Sequence, residues 1–507
     1  MKRFLQLFIF LFVAVSSFAL KEDTLSIQQK ELERQSFRQV FLQNSFLNPA
    51  LRFYQYPYSL STLSVIGRDD DQYALQRHEK GDGFRGFRVN AESFVSLSPV
   101  ARIWGKAYYE RGKEQNRYWN ESADFDKVYP YVSADTIGGD MTQETYSFQG
   151  GYAKKINRWT LGAEFAYRAL LEFRKVDPRP RNTVADLQAK LAASWAFTPH
   201  YAASVFLEGQ KYKQNDDIKY FNELGVSKTF HLQGLGTSYK RFDGTRTNVN
   251  YEGNLWKTGA NLLPTDSESG WMAMASYAFG NLDKMLPSVN DIVLNSLADK
   301  VMEVEAGRIG KTLQSRWGSK AHFYYLKREG EQNIYGDSES NEFPLIAVSK
   351  DFSLKTMHAS ANFFWEKLPT TPWYYGAKLQ LSYLSRKEKQ ASTSNLLKVD
   401  ELDFELQLHS HWLWKKETFG VRLTGGYRPN LKADLNIQSA VNPYAYEILQ
   451  QNFAHQEANK TRAALFVKWA HAFAGNKLAF LETSWSQLHE SCNTDGHRWT
   501  LTAGLSF

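Results

Sequence analysis

The chain has 507 residues, of which 43% are hydrophobic, 15% aromatic and 23% charged, and its net charge is +7. A mean hydropathy of −0.49 excludes a bundle of membrane-spanning helices, and the single cysteine, Cys492, excludes an internal disulfide framework and C-x-x-C metal sites. The charge is modest and dispersed, so it gives no sign of nucleic-acid binding.

Residues 1–19 have the pattern of a secretory signal peptide. Met1-Lys2-Arg3 is basic, residues 4–15 form an apolar run, and Ser16-Ser17-Phe18-Ala19 offers a small-x-small cleavage site. A run of about a dozen apolar residues is shorter than the roughly 20 that a spanning helix needs. We therefore expect an exported chain whose signal is removed.

Residues 20–52 do not follow the pattern of the rest of the chain. Leu25, Leu32, Phe37, Val40 and Phe41 stand in a polar stretch and suit a short amphipathic helix, which ends before Asn48-Pro49. Two interpretations are open at this point. The segment either folds as a small plug into the lumen of the β-barrel that the rest of the chain is predicted to form, or it forms a periplasmic extension that covers the lower rim of that barrel.

Residues 53–507 are predicted to form one all-β domain, a transmembrane antiparallel β-barrel. Segments of about 10–16 residues alternate apolar and polar side chains, and they are about twice as long as β-sandwich strands. In one of them Phe165 and Tyr167 share a face, while Glu164 and Arg168 share the other. A charge facing lipid at mid-depth costs about 2–4 kcal/mol, so the charged face must point into the lumen.

Short turns and long polar connections alternate along this domain, as in barrels whose short turns face the periplasm and whose long loops face outside. The long stretches are near 113–142, 214–246, 281–297, 329–350 and 429–458. Counting with that rule predicts about 18 strands, with 16 as the alternative if the pair 269–280 and 298–310 is miscounted. The predicted strands are 58–68, 84–97, 100–112, 143–156, 158–173, 183–197, 200–213, 247–262, 269–280, 298–310, 315–328, 352–366, 372–387, 399–414, 418–428, 459–473, 476–489 and 496–507.

One stretch carries a family resemblance. Gly162-Ala163-Glu164-Phe165-Ala166-Tyr167-Arg168, followed by Asp177-Pro178-Arg179-Pro180-Arg181-Asn182-Thr183 and a strand ending at Trp195, resembles an uncharacterised outer-membrane β-barrel family of Bacteroidota-type bacteria. The resemblance extends over most of the mature chain. It implies a bacterial outer-membrane location and, through the frequent association of such proteins with energised nutrient receptors, a link to nutrient uptake. The family has no established activity that the resemblance could transfer to this chain.

The Asp-Pro-Arg-Pro-Arg stretch has a physical interpretation of its own. Two prolines hold the backbone extended, which presents Arg179 and Arg181 from a stiff loop at the outward rim. Such a fork of guanidinium groups suits an anionic ligand. The alternative is a rigid structural loop held by salt bridges.

No catalytic constellation and no cofactor motif is present, so we expect a protein that is not an enzyme. His409 and His411 lie on the inner face with Asp403 and Glu405, and their Cα atoms are about 6.6 Å apart. Joint metal ligation is feasible at that spacing, but any polar lumen face has this composition, and we predict no metal site. The candidate lumen-lining residues are Arg88, Glu92, Arg102, Lys106, Glu164, Arg168, Asp186, Lys190, Glu208, Lys320, His322, Lys378, Glu405, His409 and His411.

The last strand ends on Phe507, after Trp499, Leu501, Ala503 and Leu505 on one face. Bacterial outer-membrane barrels usually end in this way, so Phe507 is the predicted assembly signal. The expected partners are outer-membrane lipid, the barrel assembly machinery and a nutrient receptor or other envelope complex, with no nucleic acid.

The sequence favours two alternative functions. The first is a channel or transport component for small polar solutes that uses a wet lumen, since about 18 strands leave room for one. The second is a non-conducting barrel that serves as a structural or docking partner for another envelope complex, including secretion machinery.

Overall fold

The computed structural model describes residues 25–73, 77–221, 228–244, 248–266, 268–338, 342–368, 372–438, 443–473 and 476–507. The predicted signal peptide lies outside these residues. Within them, no helix is both long and apolar enough to cross a membrane.

The strands form a closed antiparallel barrel, which confirms the predicted fold class. The barrel strands are β1 Leu60–Asp71, β2 Gly83–Ser98, β3 Ala101–Arg117, β5 Gly139–Ile156, β6 Trp159–Phe173, β7 Arg179–Ala196, β8 Tyr201–Lys219, β11 Asn248–Pro264, β12 Gly270–Leu286, β13 Ile292–Lys311, β14 Ser315–Tyr335, β15 Leu345–Lys367, β16 Trp373–Gln390, β17 Leu396–Trp414, β18 Glu417–Arg428, β19 Asn430–Asn436, β20 Lys460–Phe473, β21 Lys477–Glu490 and β22 Thr494–Ser506.

The predicted count of 18 strands is confirmed, because β18 and β19 are two halves of one barrel strand. Both halves pair with β17, and the break between them is at Pro429, which has no N–H to donate to the ladder. Three short strands lie outside the barrel and form a separate small sheet, namely β4 Ser133–Ala134, β9 Phe230–Gly234 and β10 Thr237–Ser238.

The barrel closes where β1 pairs with β22. Their ladder runs from Thr62 opposite Ser506 to Asp71 opposite His497. Next to it, Ser61 and Phe507 exchange two backbone hydrogen bonds, N to O, of 2.8 and 2.9 Å. The last strand is therefore the neighbour of the first, and the described part of the sheet has no open edge at this seam.

The strands are longer than predicted at one end of the barrel. We call the two ends the short-turn end and the long-loop end, after their connections. The predicted long loop 281–297 is wrong, because β12 continues to Leu286 and β13 begins at Ile292. The inward side chains there, among them Leu282 and Leu294, are apolar and buried against material inside the barrel, so the alternation fades while the backbone ladder continues.

The outer face carries the apolar set of the alternation. In β6, Phe165 is 53% exposed on the outside while Glu164 is 8% exposed on the inside, as the alternation predicts. Tryptophans crowd the short-turn end of this face, where Trp159 stacks on Trp195 and Trp373 on Trp412. An apolar band bordered by aromatic side chains is the surface that a bilayer requires.

The N-terminal segment contains two short helices instead of the single one predicted. Helix α1, Ile27–Arg34, begins with a capping box in which Ser26 and Gln29 bond each other's backbone N–H. Helix α2, Phe37–Leu42, begins at the next cap, Ser36. The remaining helices are α3 Phe125–Val128 and α4 Pro443–Glu457, with 3-10 turns at Ser45–Leu47, Leu51–Tyr54, His78–Lys80 and Pro287–Val289.

Candidate functional site in the lumen

Residues 25–58, which we call the plug, lie inside the lumen at the short-turn end. Phe41 and Phe46 of the plug share an apolar cluster with Met272, Ile309 and Phe364 of the barrel wall. Other plug residues contact inward side chains all round the wall, from Trp104 to Glu482. Of the two interpretations of the sequence, the structure places this segment in the lumen.

Glu366, at the end of β15, holds the start of α2. Its carboxylate accepts hydrogen bonds from the backbone N–H groups of Phe37 (2.8 Å) and Arg38 (3.1 Å), and from Arg316 Nε (2.6 Å). The side chain is fully buried. A carboxylate at the first turn satisfies donors that the helix itself leaves unpaired, so this contact docks the plug as well as capping it.

His409 and His411 are buried and face inward, as the alternation predicts. The Phe37 ring stacks on His409 with 4.1 Å between ring centroids and nearly parallel planes. His411 lies against Tyr374, which donates to Glu366 at 2.5 Å. The two imidazoles therefore form part of the surface on which the plug rests.

Ion pairs join the plug to the wall. Glu33 pairs with Arg316 at 2.8 Å, and Arg52 pairs with the predicted lumen residue Glu164 at 3.2 Å. Glu31 pairs with Lys468 at 2.7 Å. Burial by itself would raise the pKa of Glu31, but Arg34 and Lys468 outweigh it and hold this pKa at about 2.

Three other predicted lumen residues bind the plug or the rim beneath it. Lys320 Nζ donates to the carbonyl of Phe41 at 2.5 Å, and Lys190 Nζ donates to that of Leu47 at 3.1 Å. Arg102 donates to the carbonyl of Ala101 at 3.0 Å, and its guanidinium lies over the ring of Phe53. These three cationic side chains therefore contact the plug and help to close the lumen.

Gly162 of β6 lies directly under the plug backbone. A Cβ atom at this position would be 2.4 Å from the carbonyl carbon of Pro49 and 2.5 Å from the nitrogen of Ala50. Any side chain at Gly162 would therefore push the plug away from the wall.

Chain from the long loops fills the other end of the lumen. We call residues 118–138 and 228–244, together with helix α4, the cap. The first two parts are joined by the small sheet of β4, β9 and β10. Tyr131, Val132 and Ala445 of the cap pack with Leu294 and Phe352 of the wall in one apolar cluster.

Two predicted lumen residues bind the cap. Arg168 pairs with Asp124, and Asp186 pairs with Lys127 at 3.0 Å. A pair that the sequence did not indicate is fully buried, with Arg174 Nη2 2.6 Å from Asp135. Glu121 lies 3.8 Å from the same guanidinium. Burial, with the nearby Asp135 adding to it, raises the pKa of Glu121 well above its ordinary value.

Charged side chains of the wall also face the space between plug and cap. Arg88 donates to Glu110 at 2.7 Å. His322 is 3.0 Å from Glu303, and Glu405 is 3.0 Å from Arg462. Glu208 pairs with Lys190 at 3.2 Å, which extends the charged wall above the plug.

A cavity of about 230 Å³ lies on the lumen side of α2. It is bordered by Val40 and Asn44 of the plug and by Lys320, His322 and Lys378 of the wall. Lys106 and Glu92 also face inward, opposite each other on β3 and β2, and Lys106 is exposed. The lumen therefore retains polar space that neither closure fills.

Arg179 and Arg181 are the first residues on the outer face of β7, not members of a free loop. Arg179 Nε bonds Asp177 at 2.5 Å, and its guanidinium lies over the Phe221 ring at 4.3 Å. Both side chains are exposed. The structure thus engages Arg179 locally and directs neither arginine into the lumen.

The sequence did not indicate Glu366, Arg316, Arg174 or Asp135 as functional residues. Their partners are distant along the chain, as with Arg38 and Glu366, 328 residues apart. The available signal was weak. An acidic or basic residue sits on the inner face near a strand end, where it resembles any other lumenal charge.

A family model described as a family of unknown function, DUF6850, matches residues 49–507. No curated protein matches the chain. Among solved structures, the ferric preacinetobactin receptor BauA of Acinetobacter baumannii is 8% identical, with a TM-score of 0.40, over 89% of this chain and 80% of that one. A mutant of the ferric enterobactin receptor PfeA of Pseudomonas aeruginosa is 8% identical, with a TM-score of 0.38, over 89% and 80%. A bacterial polysaccharide outer membrane secretin is 10% identical, with a TM-score of 0.34, over 74% and 94%.

Proposed function

The chain belongs to DUF6850, a family of unknown function, and we propose that it is an outer-membrane transport barrel for small polar solutes, gated by the plug and the cap. No enzymatic activity is part of this proposal. Outer-membrane lipid surrounds the barrel, and the barrel assembly machinery inserts it.

The observation that supports gating is that a charged lumen with open space lies between two separate closures. The plug is joined to the wall by side-chain contacts such as Glu33 with Arg316 and Arg52 with Glu164, not by a shared backbone ladder. Side-chain contacts can break without opening the sheet, whereas a ladder would make the plug part of the sheet. A closure held in this way is suited to move.

The wall also indicates the class of solute. Cationic groups such as Lys106, Lys378 and Arg88 and anionic groups such as Glu110 and Glu405 both lie on the inner face of the wall. Charges of both signs favour small polar or zwitterionic solutes over a strongly charged species of one sign. A link to nutrient uptake belongs to the same proposal.

Planar-bilayer conductance on purified barrels tests gating. Gly162→Val displaces the plug without changing a charge, because the added side chain meets Pro49 and Ala50. Arg174→Met releases the cap, since it leaves Asp135 buried without its cation, at a cost of about 3–5 kcal/mol. The matched control is Gly425→Val on the outer face, where an added Cβ meets nothing within 4 Å.

We expect wild type and Gly425→Val to be silent, each single variant to open rarely, and the double variant to conduct steadily. Heat-modifiable migration on gels confirms that each protein is folded. A folded double variant that stays silent, together with a silent protein lacking residues 25–58, would refute the transport proposal.

The docking barrel is the second candidate, and one observation favours it. A cavity of about 420 Å³ opens on the short-turn face between the plug and the turns, and Tyr54, Tyr56, Asp266 and Leu368 border it. A photo-crosslinking amino acid at Glu268, on the edge of this cavity, would form a defined adduct in cells if an envelope partner docks here. Absence of an adduct combined with conductance of the double variant would exclude this role.

A further inference from the structure

A second group of chemically active side chains lies at the long-loop end, away from the plug. His455 is in the last turn of α4, Glu490 ends β21, and Cys492 is in the turn between β21 and β22. One donor atom from each converges on the same point, with all three within 4.8 Å of one another. We propose that these residues form a site for a divalent transition-metal ion of the Zn²⁺ type.

The types of ligand atom indicate which ion the site would bind. A thiolate, an imidazole nitrogen and a carboxylate oxygen together suit a borderline-soft ion such as Zn²⁺, and not Ca²⁺ or Mg²⁺, which take oxygen ligands. Three protein ligands leave the fourth tetrahedral position for water. Cys492 is the only cysteine of the chain, so it has no thiol within the molecule with which to form a disulfide.

The distances fit tetrahedral coordination at two of three edges. Usual Zn²⁺ bond lengths give ligand-to-ligand edges of about 3.4–3.6 Å. Cys492 Sγ is 3.7 Å from His455 Nδ1 and 3.5 Å from Glu490 Oε2. The third edge, His455 Nδ1 to Glu490 Oε2, is a hydrogen bond of 2.6 Å that has to lengthen by about 0.8 Å.

The surroundings orient the ligands. Lys460 Nζ holds the other carboxylate oxygen of Glu490 at 3.1 Å, and this carboxylate is 2% exposed. Asn452, one turn before His455, accepts a hydrogen bond from the backbone N–H of His78 and donates to Glu79, which docks α4 against the chain after β1. Partners of this kind fix ligand geometry and tune affinity.

Metal binding has a proton balance and a mechanical consequence. The Cys492 thiol releases its proton to solvent and binds as thiolate, whereas His455 binds through Nδ1 as the neutral imidazole with its proton on Nε2. Because His455 belongs to the cap, whereas Glu490 ends a strand of the wall and Cys492 lies in the turn after it, the ion ties helix α4 to the rim. This inference is independent of the transport proposal.

The test uses the folded, full-length barrel in detergent, reduced and stripped with a chelator, and then titrated with Co²⁺ and Zn²⁺. We expect one Co²⁺ per chain with a thiolate-to-cobalt charge-transfer band, and displacement of that ion by Zn²⁺. Cys492→Ser should abolish the band, and His455→Gln should weaken Zn²⁺ binding by more than about 100-fold, since loss of an outer-shell partner alone costs 10–100-fold. The matched control is His489→Gln, because His489 is exposed and bonds Asp495 instead.

Hydrogen exchange gives a second readout. Zn²⁺ should slow exchange in residues 443–457 of wild type and of the His489→Gln control, and should leave exchange in Cys492→Ser unchanged. The proposal is overturned if wild type shows no thiolate band, or if Cys492→Ser binds Zn²⁺ as tightly as wild type does.

Discussion

At the residue scale, neighbouring side chains in one strand have unrelated tasks. Phe165 covers the outer surface, whereas Glu164 accepts hydrogen bonds from Trp104 Nε1 at 2.7 Å and from Arg52 of the plug. Successive side chains of a strand point to opposite faces of the sheet, so a lipid-facing residue is followed directly by a residue that faces the lumen. The consequences of substitution should differ just as sharply.

Phe165→Arg should therefore lower the fraction of folded barrel far more than Glu164→Gln. A charge at mid-depth on the lipid face costs about 2–4 kcal/mol, while glutamine keeps an acceptor for Trp104 and loses the ion pairs with Arg52 and Lys190. Heat-modifiable migration and urea unfolding in detergent measure the difference. Equal losses from the two substitutions would contradict the register of β6.

Plug docking should depend on pH through Glu31. In the docked plug Glu31 is a carboxylate, and its pKa is lowered from 4.5 to about 2. The stabilisation that this carboxylate gives to docking is therefore complete above pH 4.5. It is lost as the pH falls from about 4.5 to about 2. In the cap-released variant Arg174→Met, conductance should rise over that interval. Adding Glu31→Gln to Arg174→Met should raise conductance at neutral pH and weaken its response to acid. A flat pH profile in Arg174→Met itself would refute this role.

At the element scale, the closing pair β1 and β22 determines whether the other strands become a barrel. Phe507 contributes two backbone hydrogen bonds to Ser61 at this seam. Trp499, Leu501 and Leu505 of the same strand are about half exposed on the outer face. The seam thus joins a hydrogen-bonded edge to a lipid-facing surface, and both are needed for closure.

Phe507→Asp should reduce the amount of folded barrel in the membrane, because it places a charge next to the seam and removes the predicted assembly signal. Thr502→Asp is the matched control, since Thr502 lies on the lumen side of the same strand. The measurement is the folded fraction in membrane extracts. Unchanged levels for Phe507→Asp would show that this side chain has no role in assembly.

At the scale of the whole molecule, the barrel combines a continuous wall with two closures of different origin. The plug comes from the N-terminal segment, and the cap comes from several long connections. The lumen charges are shared between the closures and the space that separates them. Only the charges in that space are available to act on a passing solute.

In the double variant Gly162→Val with Arg174→Met, adding Lys106→Glu should shift ion selectivity toward cations, because a fixed charge in a narrow passage acts strongly on ions. Arg102→Glu should shift it less, since Arg102 is buried against its own strand, where it bonds the carbonyl of Ala101. Reversal potentials in a salt gradient give the answer. Equal shifts in reversal potential from both substitutions would contradict the distinction between the exposed Lys106 and the buried Arg102.

The sequence by itself determined the wall of the barrel. Strand side chains alternate with period two, so lipid-facing and lumen-facing sets such as Phe165 and Glu164 follow from local geometry, and the alternation of turns and loops determines the strand count. These features need no knowledge of distant residues. The predicted loop limits near 281–297 were wrong because they were also read from local alternation. Inward side chains there are apolar and pack against the cap, so the alternation of apolar and polar residues is lost although the strands continue.

Only the tertiary structure decided what fills the lumen. Glu33 meets Arg316, and His455 meets Cys492, because the closed barrel brings together strands that are far apart in the chain. The alternation of side chains could assign Lys320 and Lys106 to the inner face, yet Lys320 binds the plug while Lys106 remains exposed. That distinction depends on where the plug packs, and packing is a property of the whole fold.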